Sequence, residues 1–246
     1  MSTVWITGGG SGIGKALALS FSSDGWDVVI SGRNKERLQR VCDLTSKIRM
    51  VVCDIKNKDE VLLAQSKIGP IDLALLNAGD YWPGLTSACT QDDHRQIFEV
   101  NYFGTINCIR AVLPKMEKIG GSIAVVGSLA GYVGLPNASA YGPSKAALIS
   151  LCESLRAELQ NSPVKIQLIS PGFVKSALTN KNDFSMPHLI SAEKAALEIR
   201  RGLESDKFEI AIPKAFVWRM KLLQMMPYRL YFYLARKMLE KHENNQ

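Results

Sequence analysis

Short runs of β-branched and aliphatic residues alternate along this chain with longer segments of helical periodicity. Several runs are apolar at nearly every position, which is expected when both faces of a strand are covered. Such alternation implies right-handed crossovers and a parallel sheet. We therefore predict an α/β fold: a doubly wound parallel sheet of about seven strands with helices on both faces. The predicted strands span 3–7, 27–31, 48–53, 71–76, 121–126, 165–170 and 208–212, and the predicted helices span 12–23, 34–46, 57–67, 90–118, 139–161 and 192–204.

Cysteine usage and the N-terminus exclude several classes of protein. The five cysteines are odd in number, widely spaced and without a C-x-x-C pair, which argues against a disulfide framework and a zinc site. We expect no metal, and a reducing, cytoplasmic location. The N-terminal sequence MSTVWITGGG predicts neither a signal peptide nor a membrane anchor. No apolar run reaches the roughly 18–20 residues that a membrane-spanning helix needs.

A glycine-rich turn follows the first predicted strand and opens a helix. The stretch TGGGSGIGKAL covers residues 7–17 and has a G-x-x-x-G-x-G spacing. Glycine permits a tight turn and the close approach of a diphosphate, and a helix N-terminus attracts anions. The strand before and the helix after favour a phosphate site of a Rossmann-type fold over a simple connecting turn. We assign this site to Gly8, Gly10, Ser11, Gly12, Ile13 and Gly14.

The end of the second predicted strand bears on the identity of the cofactor. In the stretch SGRN, Gly32 stands where an enzyme that selects the unphosphorylated cofactor usually has an acid, and Arg33 follows. A guanidinium suits a phosphate, and no carboxylate is present there to repel one. The sequence therefore favours NADP(H), and the alternative is a solvated arginine at a helix start.

Two further strand ends carry candidate cofactor contacts. Asp54 follows the third predicted strand, where an acid either accepts a hydrogen bond from the adenine amino group or caps the next helix. Asn77, Ala78 and Gly79 close the fourth strand. Small residues there let the backbone pass beside the cofactor, although the same three residues also suit an ordinary turn.

A tyrosine and a lysine four positions apart are the candidate reactive groups. Tyr141 and Lys145 share one face of a helix that starts near residue 139, and Pro143 suits its first turn. A nearby ammonium favours the phenolate and lowers the pKa of a tyrosine, which allows proton exchange with an alcohol or ketone. Ser128, at the end of the fifth strand, is placed to hydrogen-bond the same oxygen. The alternative is a packed tyrosine beside a solvated lysine.

Taken together, these motifs resemble the short-chain dehydrogenase/reductase family. The resemblance runs from residue 3 to about residue 176, and the motifs follow the family order. The first position of the family's NNAG motif is Leu76 here, and Ser176 stands where the family often has threonine. The matching stretches are TGGGSGIG, LNAG, Asn101 within EVNYFG, Ser128, YGPSK and SPGFVKS.

The resemblance implies a role for each of these residues. Tyr141 would be the general acid/base, and Lys145 would lower its pKa and bind the nicotinamide ribose. Ser128 would orient the substrate oxygen, and Asn101 would hold a water in a proton relay to Lys145. It also implies dimers or tetramers built through the helices at 90–118 and 139–161. The residues expected to line the nicotinamide pocket are Pro171, Gly172, Val174 and Ser176.

The last segment of the chain differs in character from the rest. We assign residues 1–212 to the dinucleotide-binding catalytic domain and residues 213–246 to a C-terminal basic amphipathic helical extension. Of a formal net charge of +7, the extension carries seven Lys and Arg against two acidic residues, and Pro227 divides it into two candidate helices. Interleaved basic and large apolar residues at 213–241 suit a membrane surface. A helical pair that covers the substrate site or a subunit interface is the alternative, and the high apolar content disfavours nucleic acid.

These features predict an NADP(H)-dependent oxidoreductase that interconverts a carbonyl and an alcohol. Apolar loops near the carboxyl edge of the sheet favour an apolar or lipid-like substrate. Two alternatives are a non-catalytic NADPH-binding regulator or scaffold, and a reductase of lipid metabolism peripheral to a membrane. The loop residues expected to set specificity are Tyr81, Trp82, Leu135, Pro136, Phe184, Met186, Pro187 and Leu189, within 81–82, 129–138 and 177–191.

Overall fold

The computed structural model describes residues 1–182 and 186–243, and the strands of this part of the chain form one sheet. The strand order is β3-β2-β1-β4-β5-β6-β7, and every neighbouring pair is parallel. The predicted doubly wound parallel sheet is therefore confirmed. The strands are β1 (Thr3–Thr7), β2 (Asp27–Gly32), β3 (Ile48–Val52), β4 (Leu73–Leu76), β5 (Gly121–Val126), β6 (Val164–Pro171) and β7 (Glu209–Ile212).

Helices connect the strands and cover both faces of the sheet. The helix pair after β7 confirms the predicted C-terminal helical extension, with Pro227 between its members. The helices are α1 (Gly12–Ser23), α2 (Lys35–Cys42), α3 (Lys58–Ile68), α4 (Gln91–Phe98), α5 (Gly104–Ile119), α6 (Tyr141–Glu158), α7 (Ala192–Leu203), α8 (Lys214–Met225) and α9 (Tyr228–Glu243). No helix in the described part of the chain combines the length and the apolar character needed to cross a bilayer.

The core lies in two layers, one on each face of the sheet. Successive residues of β1 show why: Val4 and Ile6 pack with α1, α2 and α7, whereas Trp5 packs with α3, α5 and α6. This alternation follows from the period of two in a strand. The fully buried indole N–H of Trp5 donates to the hydroxyl of Ser31 over 2.9 Å, so the central strand buries a polar group at little cost.

The segment predicted as one helix at 90–118 contains an irregularity. A capping box between Thr90 and Asp93 starts α4, and a π-helical turn at Glu99–Phe103 separates α4 from α5. The backbone is right-handed helical on both sides of the π turn, so the helix continues through it. Residue types carry no clear signal for a π turn, which is why the sequence predicts an uninterrupted helix here.

The sheet topology fixes where a ligand binds. Strand order reverses between β1 and β4, and ligands of such sheets bind outside the carboxyl ends of the strands at this point. The segments that leave β1, β4, β5 and β6 at this edge contain the candidate residues. They are Gly8 after β1, Asn77 after β4, Ser128 after β5 and Gly172 after β6.

Candidate active site

The turn after β1 has the backbone geometry that its glycines allow. Gly8 and Gly12 have φ angles of 67° and 52°, in the left-handed region that favours glycine. A Cβ atom on Gly14 would lie 2.5 Å from the carbonyl oxygen of Gly8, so no side chain fits there. The amide of Asn77 donates to the carbonyls of Thr7 and Gly8 over 3.0 and 3.2 Å. Asn77 therefore holds the turn against the end of β4.

The N-terminus of α1 opens directly from this turn. The N-cap Ser11 has extended backbone geometry, and its hydroxyl does not cap the helix. First-turn N–H groups that lack a side-chain cap, together with the helix dipole, suit an anionic ligand. Ser176 also reaches this turn, because its Cβ would lie 3.3 Å from a Cβ on Gly12. The predicted phosphate-binding residues and Ser176 are thus brought together.

The ends of β2 and β3 lie beside this turn. Arg33 is exposed and directly follows β2, and the N-cap of α2 is the next residue, Asn34. Arg37, which the sequence reasoning missed, packs against the turn: its Cβ would lie 3.2 Å from a Cβ on Gly10. Its position four residues after Arg33, in the first turn of α2, was the available signal. A second basic residue therefore lies beside the glycine turn.

Asp54 does not cap the helix that follows it. The side chain of Asn57 is the N-cap of α3 and accepts from the backbone N–H groups of Asp59 and Glu60. The Asp54 carboxylate instead accepts from the backbone N–H of Lys56 over 3.0 Å. The capping alternative for Asp54 is therefore wrong, because Asn57 already occupies that position.

The π-helical turn places Asn101 in the interior. Asn101 is fully buried, and its amide oxygen accepts from the backbone N–H of Asp80 over 2.7 Å. Its amide nitrogen donates to the carbonyl of Asp80 and to the hydroxyl of Ser144, each over 3.0 Å. A Cβ atom on Gly79 would lie 3.1 Å from Asn101 Oδ1 and 3.5 Å from Lys145 Nζ. Gly79 thus separates the amide from the ammonium, and a larger side chain would crowd both.

The candidate reactive groups meet at the start of α6. Tyr141 is the first residue of this helix, two residues later than predicted, and Pro143 lies in the first turn as expected. The Tyr141 hydroxyl is hydrogen-bonded to Ser128, which also accepts from the backbone N–H of Ala130 over 3.1 Å. Lys145 is buried, with its ammonium 5.7 Å from the Tyr141 ring centroid.

The ionisation of this pair is controlled by burial. Burial raises the pKa of the Tyr141 phenol, and the hydrogen bond from Ser128 opposes that rise. Burial lowers the pKa of Lys145 to about 8. The expected lowering of the Tyr141 pKa by Lys145 is therefore wrong for the protein by itself. The physical reason is that the ammonium donates to the carbonyl of Val126 over 2.9 Å rather than to the phenol.

The segment after β6 completes the wall of the site. The backbone N–H of Gly172 donates to the carbonyl of Ile212 over 2.7 Å, which ties this segment to the end of β7. Val174 is buried and forms a parallel bridge with Ile190. Pro171 accepts a long hydrogen bond of 3.5 Å from Ser128. The predicted nicotinamide-pocket residues therefore lie beside the reactive groups.

A cavity of about 600 Å³ connects these groups. Its lining is mainly apolar and contains the predicted specificity residues Tyr81, Leu135, Pro136 and Pro187. Trp82 and Leu189 are instead about half exposed, and Phe184 lies outside the described residues. The lining also includes the reactive and cofactor-site residues Ser128, Tyr141, Lys145, Asn77, Gly79 and Ile13.

The C-terminal helices also line this cavity, which the sequence reasoning left open. Phe216, Met220 and Leu223 of α8 face it at positions i, i+4 and i+7, with Arg219 beside them and Leu239 from α9. This spacing places them on one face of the helix, and it was the signal in the sequence. The extension thus covers the site with its inner face.

Two loops that line the cavity are fastened to each other. The Tyr81 hydroxyl donates to the side-chain oxygen of Asn182 over 2.7 Å, and the ammonium of Lys181 donates to the Tyr81 carbonyl over 2.7 Å. The ring of Tyr81 meets the ring of Tyr141 edge to face, with 4.9 Å between centroids. The loop after β4 therefore contacts the reactive phenol directly.

A glycine turn at the sheet's reversal point, next to a tyrosine, a lysine and a serine in an apolar cavity, is the arrangement of a dinucleotide-dependent oxidoreductase. The family model described as "short chain dehydrogenase" matches residues 2–185. The chain therefore belongs to the short-chain dehydrogenase family.

An individual relative supports the same assignment, and solved structures share the fold. An uncharacterized oxidoreductase of Myxococcus xanthus is 32% identical over 245 residues, which cover 96% of this chain and 97% of that protein. A short-chain dehydrogenase/reductase from Burkholderia phymatum in complex with NAD superposes with a TM-score of 0.82 and 24% identity over 90% of this chain and 92% of that one. ElxO with NADP bound has a TM-score of 0.75 and 27% identity over 85% of this chain and 97% of that one.

Proposed function

We propose that this protein is an NADP(H)-dependent oxidoreductase that interconverts a carbonyl and an alcohol on an apolar substrate. The observation that carries the proposal is the meeting of Tyr141, Ser128 and Lys145 on one wall of an apolar cavity, beside the glycine turn. These three polar side chains lie in a cavity lining that is otherwise mostly apolar. Such a lining favours a large apolar substrate with one reacting oxygen.

The residues of the turn after β1 fit the diphosphate of a dinucleotide. There is no room for a side chain on Gly14 against the backbone of Gly8, so the turn presents bare backbone. The hydroxyl of Ser11 does not cap α1, so the first N–H groups of the helix lack a side-chain acceptor. When bound, the cofactor supplies or accepts the hydride. The remaining residues proposed to hold it are Asp54, Asn77, Ala78, Gly79, Pro171, Gly172, Val174 and Ser176, with Tyr141 and Lys145.

The protein's own groups handle the substrate oxygen and its proton. Ser128 and Tyr141 are hydrogen-bonded to each other, so one carbonyl oxygen can accept from both hydroxyls. In the reductive direction the phenol donates its proton to the developing alkoxide, and in the oxidative direction the phenolate accepts the proton of the alcohol. The phenolate regains a proton from Lys145 through bridging water, because the ammonium itself donates to the carbonyl of Val126, and a pKa near 8 suits exchange close to neutral pH. Asn101 is proposed to continue this relay through a water, as the neighbour of Lys145 across Gly79.

The preference for NADP(H) is supported by charge at the end of β2. Gly32 offers no carboxylate to a ribose hydroxyl, and the exposed Arg33 after β2 and Arg37 in the first turn of α2 are the basic residues available to a 2′-phosphate. Among solved relatives of this fold, one is described in complex with NAD and another with NADP bound.

We also propose a homo-oligomer, as the resemblance implies.

The first experiment compares NADPH and NADH consumption across ketones graded from short and polar to long and apolar. We expect turnover with NADPH on the apolar members, and a loss of about 10²-fold or more in Tyr141→Phe, because that variant has no proton to donate. The ring of phenylalanine fills the same space, so the melting temperature should remain close to that of the native protein, and NADPH should still bind through the other cofactor residues.

Turnover that survives in Tyr141→Phe would overturn the assigned role of this phenol. Turnover with NADH at the same efficiency would overturn the cofactor preference alone. Tight NADPH binding without turnover on any ketone or alcohol of the panel would favour a regulator that senses the cofactor.

A further inference from the structure

The two helices of the C-terminal extension have an inner and an outer face. The inner face of α8 lines the cavity through Phe216, Met220 and Leu223. Tyr231 of α9 is buried, and its hydroxyl donates to the carbonyl of Gly134, which fastens α9 to the loop after β5. The inner faces therefore have their partners within the chain. The outer faces remain to be explained.

The outer side of α8 is apolar. Trp218, Leu222 and Met225 follow the spacing i, i+4, i+7, which places them in one stripe along the helix. Their exposed fractions are 75%, 59% and 82%. At the start of α9, Tyr228 and Phe232 are also exposed and stack with 5.8 Å between ring centroids. These five side chains are called the outer apolar face below.

Single exposed apolar side chains are ordinary, but this grouping is not. Five large apolar side chains, two of them stacked, occur within fifteen residues at 218–232. Large exposed apolar side chains grouped in this way mark an interaction site. Leu230 and Tyr233, each 47% exposed, add to the apolar character of α9.

The charge of the same segment is entirely of one sign. Residues 213–239 contain no aspartate or glutamate. Among these cations Lys221 pairs with Glu209 of β7 over 3.1 Å, and Lys237 lies 4.6 Å from the centroid of the Tyr233 ring. The basic residues of the segment are Lys214, Arg219, Lys221, Arg229, Arg236 and Lys237.

This charge pattern distinguishes a second copy of the chain from a bilayer surface as the partner of the outer apolar face. In a two-fold dimer each patch would meet its own copy, so the cations of one subunit would oppose those of the other. An anionic bilayer surface, in contrast, attracts each cation, and Trp and Tyr favour the headgroup region where one end of the ring is wet.

We propose that the outer apolar face docks the protein on the surface of a bilayer that contains anionic lipid. The helices lie in the plane of the interface with Trp218, Leu222 and Met225 in the boundary between headgroups and acyl chains. The cavity lies on the opposite side of α8, so an apolar substrate passes from the bilayer to the site around one helix. That last step rests on the proposed function, whereas docking itself does not.

The test is sedimentation of the full chain with vesicles, which needs no turnover. Vesicles of phosphatidylcholine alone are compared with vesicles of phosphatidylcholine mixed with phosphatidylglycerol, at low and at high salt. We expect binding to the mixed vesicles, weak binding to the neutral ones, and a loss of binding as salt screens the charges. In the same samples the fluorescence of Trp218 shifts to the blue, measured as the difference from Trp218→Phe.

Two variants separate the apolar contribution to vesicle binding from the electrostatic contribution. The triple variant Trp218→Ser/Leu222→Ser/Met225→Ser should lower binding to mixed vesicles about tenfold or more, because it removes the inserted apolar area. The double variant Arg229→Gln/Lys237→Gln should lower it about tenfold and make the residual binding less sensitive to salt, because four of the six cations remain. The matched control is Leu62→Ser/Leu63→Ser, which removes two leucines of α3, each 54% exposed, far along the chain. Circular dichroism melting confirms that each variant is folded.

The outcomes decide the proposal. Absence of binding to the mixed vesicles, or equal binding by the triple variant, overturns it. Size-exclusion chromatography gives the alternative outcome. If the native protein is a dimer that does not bind vesicles and the triple variant is a monomer, the face is a subunit interface instead. Vesicle binding with no ketone turnover would sustain docking and count only against the proposed function.

Discussion

At the scale of single residues, Lys145 is a buried lysine that is also the proposed source of protons for the site. It is buried, with only 4% of its surface exposed, and its ammonium donates to a backbone carbonyl rather than to a carboxylate. Burial lowers its pKa to about 8 from a usual value of 10.5. The folded protein therefore loses stability by holding this charge, and it retains a proton donor suited to neutral pH.

Lys145→Met is expected to raise the free energy of unfolding near pH 7 by about 1–3 kcal/mol. Below pH 8 both states are protonated, and the folded state bears the full cost of burial. Between pH 8 and 10.5 the folded state releases the proton while the unfolded chain keeps it, so the stability of the native protein rises with pH. Urea unfolding of both proteins at about pH 7 and about pH 10 should show the gap between them narrowing.

The control for this experiment is Lys35→Met, because Lys35 is exposed at the start of α2. That variant should leave the pH dependence of stability as it is in the native protein. A gap between Lys145→Met and native protein that stays constant from neutral to alkaline pH would contradict the assigned cost of burial.

The sequence identifies these reactive residues but not their ionisation. Tyr141 and Lys145 are predictable because a separation of four residues places both on one helical face. The carbonyl of Val126, which holds the ammonium away from the phenol, comes from another strand. A long-range backbone contact of this kind has no signature in residue type, so the direction of the Tyr141 pKa was predicted wrongly.

At the scale of elements, the turn between β1 and α1 depends on the absence of side chains. A Cβ on Gly14 would lie 2.5 Å from the Gly8 oxygen and 2.6 Å from Asn77 Nδ2. Neither neighbour is free to move, because the Asn77 amide is hydrogen-bonded to Thr7 and Gly8. The geometry of the proposed diphosphate site is thus fixed by contacts between β1, α1 and the end of β4.

Gly14→Ala is therefore expected to displace this turn. The free energy of unfolding should fall by about 1–3 kcal/mol through overpacking. NADPH binding, measured by fluorescence titration, should weaken about tenfold or more as the N–H groups of α1 move. Gly134→Ala is the matched control, since a Cβ there meets nothing within 4 Å. Unchanged NADPH affinity in Gly14→Ala would place the diphosphate elsewhere.

Elements were predicted well where one signal dominated. Continuous apolar runs between breakers identified all the described strands, because both faces of this sheet are buried. The helix at 90–118 was predicted without its π turn, since a π turn leaves hydrophobic periodicity almost unchanged over so short a span. The inner face of α8 was visible in the spacing of Phe216, Met220 and Leu223, but what that face covers depends on the tertiary fold.

At the scale of the whole molecule, one carboxylate joins the extension to the sheet. Glu209 of β7 accepts from Ser170 over 2.9 Å and from Lys221 of α8 over 3.1 Å. It also accepts a short hydrogen bond from Tyr132, and burial and this bond raise the pKa of that phenol. The position of α8, and with it one wall of the cavity, is set by this cluster.

Glu209→Ala is expected to lower the free energy of unfolding by about 1–3 kcal/mol, since it leaves two partly buried hydroxyls without their acceptor. Lys221→Met is the matched comparison. It removes only an ion pair whose lysine is half exposed, so its effect should stay below about 1 kcal/mol. Guanidinium unfolding measures both. Equal losses in the two variants would show that the ion pair, rather than the hydroxyl acceptor, holds α8 in place.

The π-helical turn at Glu99–Phe103 has a meaning in terms of chain length. Such a turn is an α-helix with one residue inserted, and each residue of an α-helix turns the helix by about 100°. The extra residue lets Ile97 before it and Cys108 after it both reach the core while Asn101 turns inward. Deletion of one residue here would restore a regular helix. The helix on one side of the deletion would then be rotated, and either Ile97 or Cys108 would turn towards solvent. A single-residue deletion is thus structurally more damaging within this helix than in the exposed loops around it.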